Sequence, residues 1–145
     1  MELLNHFHVH LLHPKVIHFP IALFIGAMGM EVVSLIFRKD NLHRTALHMY
    51  IFATVITPFV VLTGLQEAEH LHLGHPILTI HRNFALLTMW GSLVSLPILW
   101  LAKKNGEKVS RIVFIIFLLM LATFVSIAGH NGGRMVYEYG VGVDQ

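Results

Sequence analysis

The chain has 145 residues, of which 55% are hydrophobic and 12% charged, with a formal net charge of +2. A soluble domain of that length carries far more polar surface, so a soluble enzyme is excluded and no nucleic-acid partner is expected. With no cysteine, covalently attached haem, cysteine-ligated iron–sulfur clusters and structural disulfides are excluded as well.

A membrane span takes about 20 mostly apolar residues, enough to cross roughly 30 Å of hydrocarbon. Four blocks qualify, at 16–37, 45–65, 77–101 and 109–128, and little chain is left over. The expected fold is all-α: one domain over residues 1–145, an integral membrane antiparallel four-helix bundle in which spans one and three, and two and four, sit diagonally.

Ahead of the first block, His6, His8 and His10 alternate with other residues. On a strand they would share a face, and such a tract binds divalent metal weakly. The first block is too long for a signal h-region and has no small-residue cleavage site before it, so it is read as a span. His13-Pro14 opens it, with His18 and Ala22 following. Proline suits a helix start, where its missing N–H has no helical partner. Pro58 is expected to kink the second span, and Pro20 and Pro97 to bend the first and third. His75-Pro76 opens the third span, with His81 and Ala85 following, so the two hairpins resemble parallel repeats. The fourth span closes on His130.

Four spans put both termini on one side. The opposite side holds Arg38, Lys39, Arg44, Lys103, Lys104, Lys108 and Arg111, against Lys15, Arg82 and Arg134 beside the termini. Short loops rich in Lys and Arg stay cytoplasmic, so both termini are expected to be extracytoplasmic, in a bacterial inner membrane.

Ten of the twelve histidines fall on the terminal side, and only His43 and His48 on the other. His18 and His81 lie roughly 6–9 Å inside their helices, at about 1.5 Å per residue. Ala22, Ala85 and Ser126 each lie four residues, or one turn, deeper than His18, His81 and His130. Small residues under a histidine layer leave volume for a flat cofactor, although they also serve close helix packing. The three cations of that side, Lys15, Arg82 and Arg134, each neighbour a histidine and suit anionic groups such as haem propionates. On the cytoplasmic side, Glu31 and His48 lie at similar depths in the first two spans. A lone carboxylate in lipid is costly, so the two are expected to pair, either to handle quinol protons or as an interhelical bond.

The run His13-Pro14-Lys15-Val16-Ile17-His18-Phe19-Pro20-Ile21-Ala22 resembles the HPxxVHFPIA opening of the bacterial family catalogued as domain of unknown function 2231. Gly129-His130-Asn131-Gly132-Gly133-Arg134-Met135-Val136-Tyr137 resembles its GHxGGxLVY segment, and Tyr139-Gly140-Val141-Gly142-Val143 its closing GVGV. His81 falls where the family has a histidine opening the third span, and Gly64 with Glu67 near its glycine-acid pair. Arg134-Met135 stands where the family tends to have an apolar pair. The resemblance covers nearly the whole chain; it implies a four-span membrane protein and no particular function.

The leading functional expectation is a b-type cytochrome, since two histidines from facing helices recur as haem ligands in four-helix bundles. His18 and His81 are the first axial pair, with His13 and His130 second. Electrons would pass from quinol in the membrane to a periplasmic carrier or a larger respiratory complex. The alternatives are a transition-metal (zinc or copper) binding or transport protein with a His-rich periplasmic mouth, and a structural subunit of a larger membrane complex.

Overall fold

The computed structural model describes residues 12–70 and 76–140. They form five helices: α1 (Leu12–Val16), α2 (His18–Phe37), α3 (Asp40–His70), α4 (Pro76–Lys103) and α5 (Glu107–Tyr137). The last four are long and apolar enough to cross a membrane, with α1 continuing α2 outward across a single-residue break.

That break, at Ile17, has a local cause. Pro20 has no N–H for the carbonyl of Val16, and its ring crowds that carbonyl. Ile17 still donates its N–H to His13 O at 3.0 Å, so α1 keeps its one turn. Pro58 and Pro97 lie within α3 and α4 without ending either helix. Between α2 and α3 the chain reverses within three residues, through Arg38 in the left-handed region (φ 53°). Ser34 holds this reversal: its carbonyl accepts from Lys39 N–H at 3.2 Å and its hydroxyl donates to Lys39 O at 2.9 Å. At the other turn of this end, between α4 and α5, Gly106 supplies a φ of 108°, which only glycine adopts without strain.

Helix α2 packs against α3 and α5, and α4 against α5 and α3. The diagonal partners are therefore α2 with α4 and α3 with α5, as the alternation of the spans requires. The core lies among α2, α3 and α5, where Phe24, Ala27, Ala46, Tyr50, Ala53, Phe114, Leu118, Leu121 and Val125 are buried together. Alanines at 27, 46 and 53 let the backbones approach, and the rings of Phe24, Tyr50 and Phe114 meet edge to face at 5.2–5.6 Å. Tyr50 reaches across to α4 and donates to Ser95 Oγ at 2.6 Å. Other buried hydroxyls, such as Thr54, Thr57 and Thr88, return to carbonyls four residues back in their own helix.

The outside is apolar: Phe52, Trp90, Trp100, Ile116 and Leu119 are all more than half exposed. Such a surface is stable in hydrocarbon and prone to associate in water.

One boundary differs from the sequence reading. The fourth helix does not end at His130 but continues to Tyr137. Asn131 is buried and Gly132 packs on a neighbouring side chain, so tertiary contacts carry the helix through its glycines.

Candidate histidine site

The inner face of each helix follows a seven-residue rule. In α1 and α2 it runs through His13, Pro20, Ala27 and Ser34, with Phe24 and Glu31 between them. In α3 it runs through His43, Tyr50, Thr57 and Gly64, and through Ala46, Ala53, Val60 and Glu67. In α4 it is His81, Thr88, Ser95 and Ala102. Two helices crossing at a small angle keep such residues on their shared seam.

At the terminal end this register brings His13 and His81 together. Their ring centres are 6.3 Å apart, with planes at 84°. His13 donates from Nδ1 to Val60 O at 3.0 Å, with Thr63 Oγ1 at 3.3 Å. His81 donates from Nδ1 to Ala128 O at 2.7 Å. A carbonyl can only accept, so both rings carry a proton on Nδ1, which in the neutral imidazole leaves the lone pair at Nε2. Among the described residues no hydrogen bond is made to either Nε2. Ligating histidines are held in this way, by the far nitrogen on a backbone carbonyl.

Each ring also rests on a glycine. A Cβ at Gly64 would stand 2.5 Å from Cε1 of His13, and one at Gly132 would stand 3.2 Å from Cε1 of His81. Two cavities meet at the pair. One, of about 40 Å³, includes Thr57, Thr88 and Ala128 in its wall. The other, of about 30 Å³, includes Gly64, Ala68 and Arg82. Both touch Ala85, the small residue one turn below His81.

The other expected ligands are elsewhere. His18 is exposed on the outer face, so His18 and His81 do not form the pair. His18 is two residues from Pro20, or about 200° around a helix of 3.6 residues per turn, which points it away from the inner face. His130 is exposed for the same reason, two residues from buried Ala128. Of the cations, Lys15 is exposed, Arg82 is exposed but lines the second cavity, and Arg134 is occupied within its own helix end by Glu138 at 2.8 Å. His6, His8, His10, His72 and His75 lie outside the described residues. Among the described residues no group of three or more His, Cys, Asp or Glu could hold a metal ion.

At the opposite end, the expected pairing of Glu31 with His48 is replaced by another. Glu31, only 2% exposed, accepts from His43 Nδ1 at 2.7 Å and from Arg111 Nε at 2.8 Å. Arg111 also donates to Ser34 Oγ at 2.8 Å. His48 is exposed: it is two residues from Ala46 and from Tyr50, off the seam that His43 shares with Tyr50. Arg111 thus leaves the count of loop cations and enters the bundle as a counter-ion. Sequence reasoning missed His43 and Arg111 because it matched depth in the membrane and ignored the face of the helix.

A family model described as "Predicted membrane protein (DUF2231)" matches residues 9–145. No curated protein and no solved structure matches the chain.

Proposed function

The chain belongs to the DUF2231 family of predicted membrane proteins, and we propose that it is a membrane b-type cytochrome whose axial ligands are His13 and His81. The observation that carries this reading is the pair itself: two imidazoles fixed by Nδ1–H bonds to carbonyls, with both Nε2 lone pairs unused and ring centres 6.3 Å apart. Two metal–imidazole bonds of about 2 Å in line, plus about 1 Å from each nitrogen to its ring centre, put such centres about 6 Å apart. Each ring plane contains its own metal–nitrogen axis, so an interplanar angle of 84° suits the arrangement.

Haem needs only two protein ligands, whereas zinc sites take three or four; no group of three is found among the described residues. The glycines against the rings and Ala85 between the cavities provide the close approach that a flat macrocycle needs. The cavities are far smaller than the several hundred Å³ of a typical cofactor pocket, so loading would part α3 from α4, the neighbours in contact over the shortest stretch. Arg82, on the wall of the second cavity, is the cation placed for a propionate. Electrons would enter from quinol and leave to a periplasmic carrier or a larger respiratory complex in a bacterial inner membrane. Glu31, bonded by His43 and Arg111, serves in this reading as an interhelical tie and not as a quinol base.

The test is an absorption spectrum of protein purified from haem-replete cells. A low-spin Soret band is expected, with an α-band sharpened by dithionite and a chromophore extractable by acid–acetone. His13→Ala and His81→Ala should each abolish the low-spin spectrum, and His18→Ala should leave it intact. A colourless folded preparation would overturn the reading; equimolar zinc or copper in it would establish the metal-binding alternative.

A further inference from the structure

The residues between α4 and α5 do not form a free loop. The N–H groups of Lys104, Asn105 and Gly106 donate to the carbonyls of Leu101, Ala102 and Lys103 at 3.0–3.2 Å, and Asn105 Nδ2 donates to Leu101 O at 3.3 Å. The turn therefore folds back on the end of α4. Its cations are held at the helix ends: Lys103 closes α4, Lys104 follows it, and Lys108 lies in the first turn of α5. All three are exposed. Among the described residues none of them pairs with a carboxylate, since the ion pairs belong to His43, Arg111 and Arg134. The turn's own carboxylate, Glu107, is exposed as well and is outnumbered.

Exposed lysines are usually solvated and nothing more. One contact sets this turn apart. Lys104 Nζ lies 3.9 Å from the ring centre of Trp100, and Trp100 is 62% exposed on the outer surface. A tryptophan on a spanning helix settles where acyl chains meet headgroups, and the face of its ring attracts a cation. The pair therefore fixes a depth, with the indole at the glycerol layer and the ammonium group just outside it, among the phosphates. Around Trp100, Ile98 and Leu101 of α4 and Val109 and Ile112 of α5 are exposed and apolar, a surface suited to acyl chains.

We propose that the α4–α5 turn is a binding site for an anionic phospholipid. Lys103, Lys104 and Lys108 receive its phosphate-bearing headgroup, and Trp100 lies against the glycerol end of an acyl chain. Charge complementarity at a fixed depth selects this occupant. A zwitterionic headgroup brings a cation of its own, which the three lysines repel. A free anion meets the lysines but gains nothing from the indole and the apolar surface. The α2–α3 turn is the natural comparison: Arg38, Lys39 and Arg44 are exposed and without a carboxylate partner, but among the described residues none of them stacks on an aromatic ring. The proposal does not depend on the haem reading.

The experiment uses the Trp90→Phe chain, in which Trp100 is the one remaining tryptophan. It is reconstituted in vesicles of phosphatidylglycerol and phosphatidylcholine, with one or the other lipid brominated on its acyl chains. Quenching of Trp100 should show a preference for phosphatidylglycerol of about fivefold or more, the worth of one lysine near an anionic surface. Replacing Lys103, Lys104 and Lys108 together by Gln should abolish the preference, and replacing Arg38, Lys39 and Arg44 together by Gln should keep it. Salt should weaken it, and inorganic phosphate should do so no more than chloride at equal ionic strength. Equal quenching by the two lipids overturns the proposal, as does a preference that survives the lysine replacements or is lost with the α2–α3 replacements. Selective displacement by inorganic phosphate would make the turn a free-anion site and overturn the lipid assignment. Native mass spectrometry of the unsubstituted protein covers the case of a variant that does not fold: phosphatidylglycerol should stay bound where phosphatidylcholine is shed, and equal retention overturns the proposal.

Discussion

Gly64 and Gly29 both lie in apolar helices and look interchangeable in sequence, but they have opposite surroundings. A Cβ at Gly64 meets the His13 ring, whereas one at Gly29 meets nothing within 4 Å. Gly64→Ala should therefore displace an imidazole that Val60 O also holds, at a cost of about 1–3 kcal/mol for overpacking. Thermal unfolding in detergent should show the loss. Gly29→Ala should be neutral or slightly stabilising, because alanine is the better helix former. Equal behaviour of the two variants would mean that His13 does not rest on Gly64. At this scale the sequence was informative about which residue types matter and silent about their direction. His13, His18 and His81 were all visible as embedded or near-embedded histidines. The seven-residue register through His13, Pro20, Ala27 and Ser34 was also visible, and it would have chosen His13 over His18. Glu67 stood out only for its place near a glycine; that one of its oxygens is buried and unpartnered depends on packing between helices, which no residue pattern encodes.

The same register governs how the helices are tied. Glu31 of α2 is bonded to His43 of α3 and Arg111 of α5, so one carboxylate joins three helices near the α2–α3 and α4–α5 turns. A double-mutant cycle on Glu31 and His43 should give a coupling of order 1 kcal/mol, as for other interhelical bonds in membranes. The cycle on Glu31 and His48 should be additive. Coupling to His48 instead would require α3 to turn by more than a third of a revolution. The spans themselves were legible, since apolar block length is set by bilayer thickness. Their ends were less so: α5 continues past His130 to Tyr137 because Asn131 is buried and Gly132 packs against His81.

At the scale of the whole molecule, charge is segregated along the bundle axis. With Arg111 withdrawn to Glu31, six cations remain at the α2–α3 and α4–α5 turns: Arg38, Lys39, Arg44, Lys103, Lys104 and Lys108. At the terminal end Arg134 is matched by Glu138. On the positive-inside rule we expect the turns in the cytoplasm and both termini outside. A reporter fused after Gln145 that is active only in the cytoplasm should be silent, and a strong signal from it would invert the orientation. The Glu31–Arg111 bond also has a consequence for biogenesis. Its two ends are 80 residues apart in sequence, so the first span enters the bilayer long before its guanidinium partner is synthesised. Until the ribosome has released α5, the early hairpin has only His43 to shield its carboxylate. A chain truncated ahead of Glu107 would keep that carboxylate without its guanidinium partner, and a pulse–chase should find it degraded faster than the full chain.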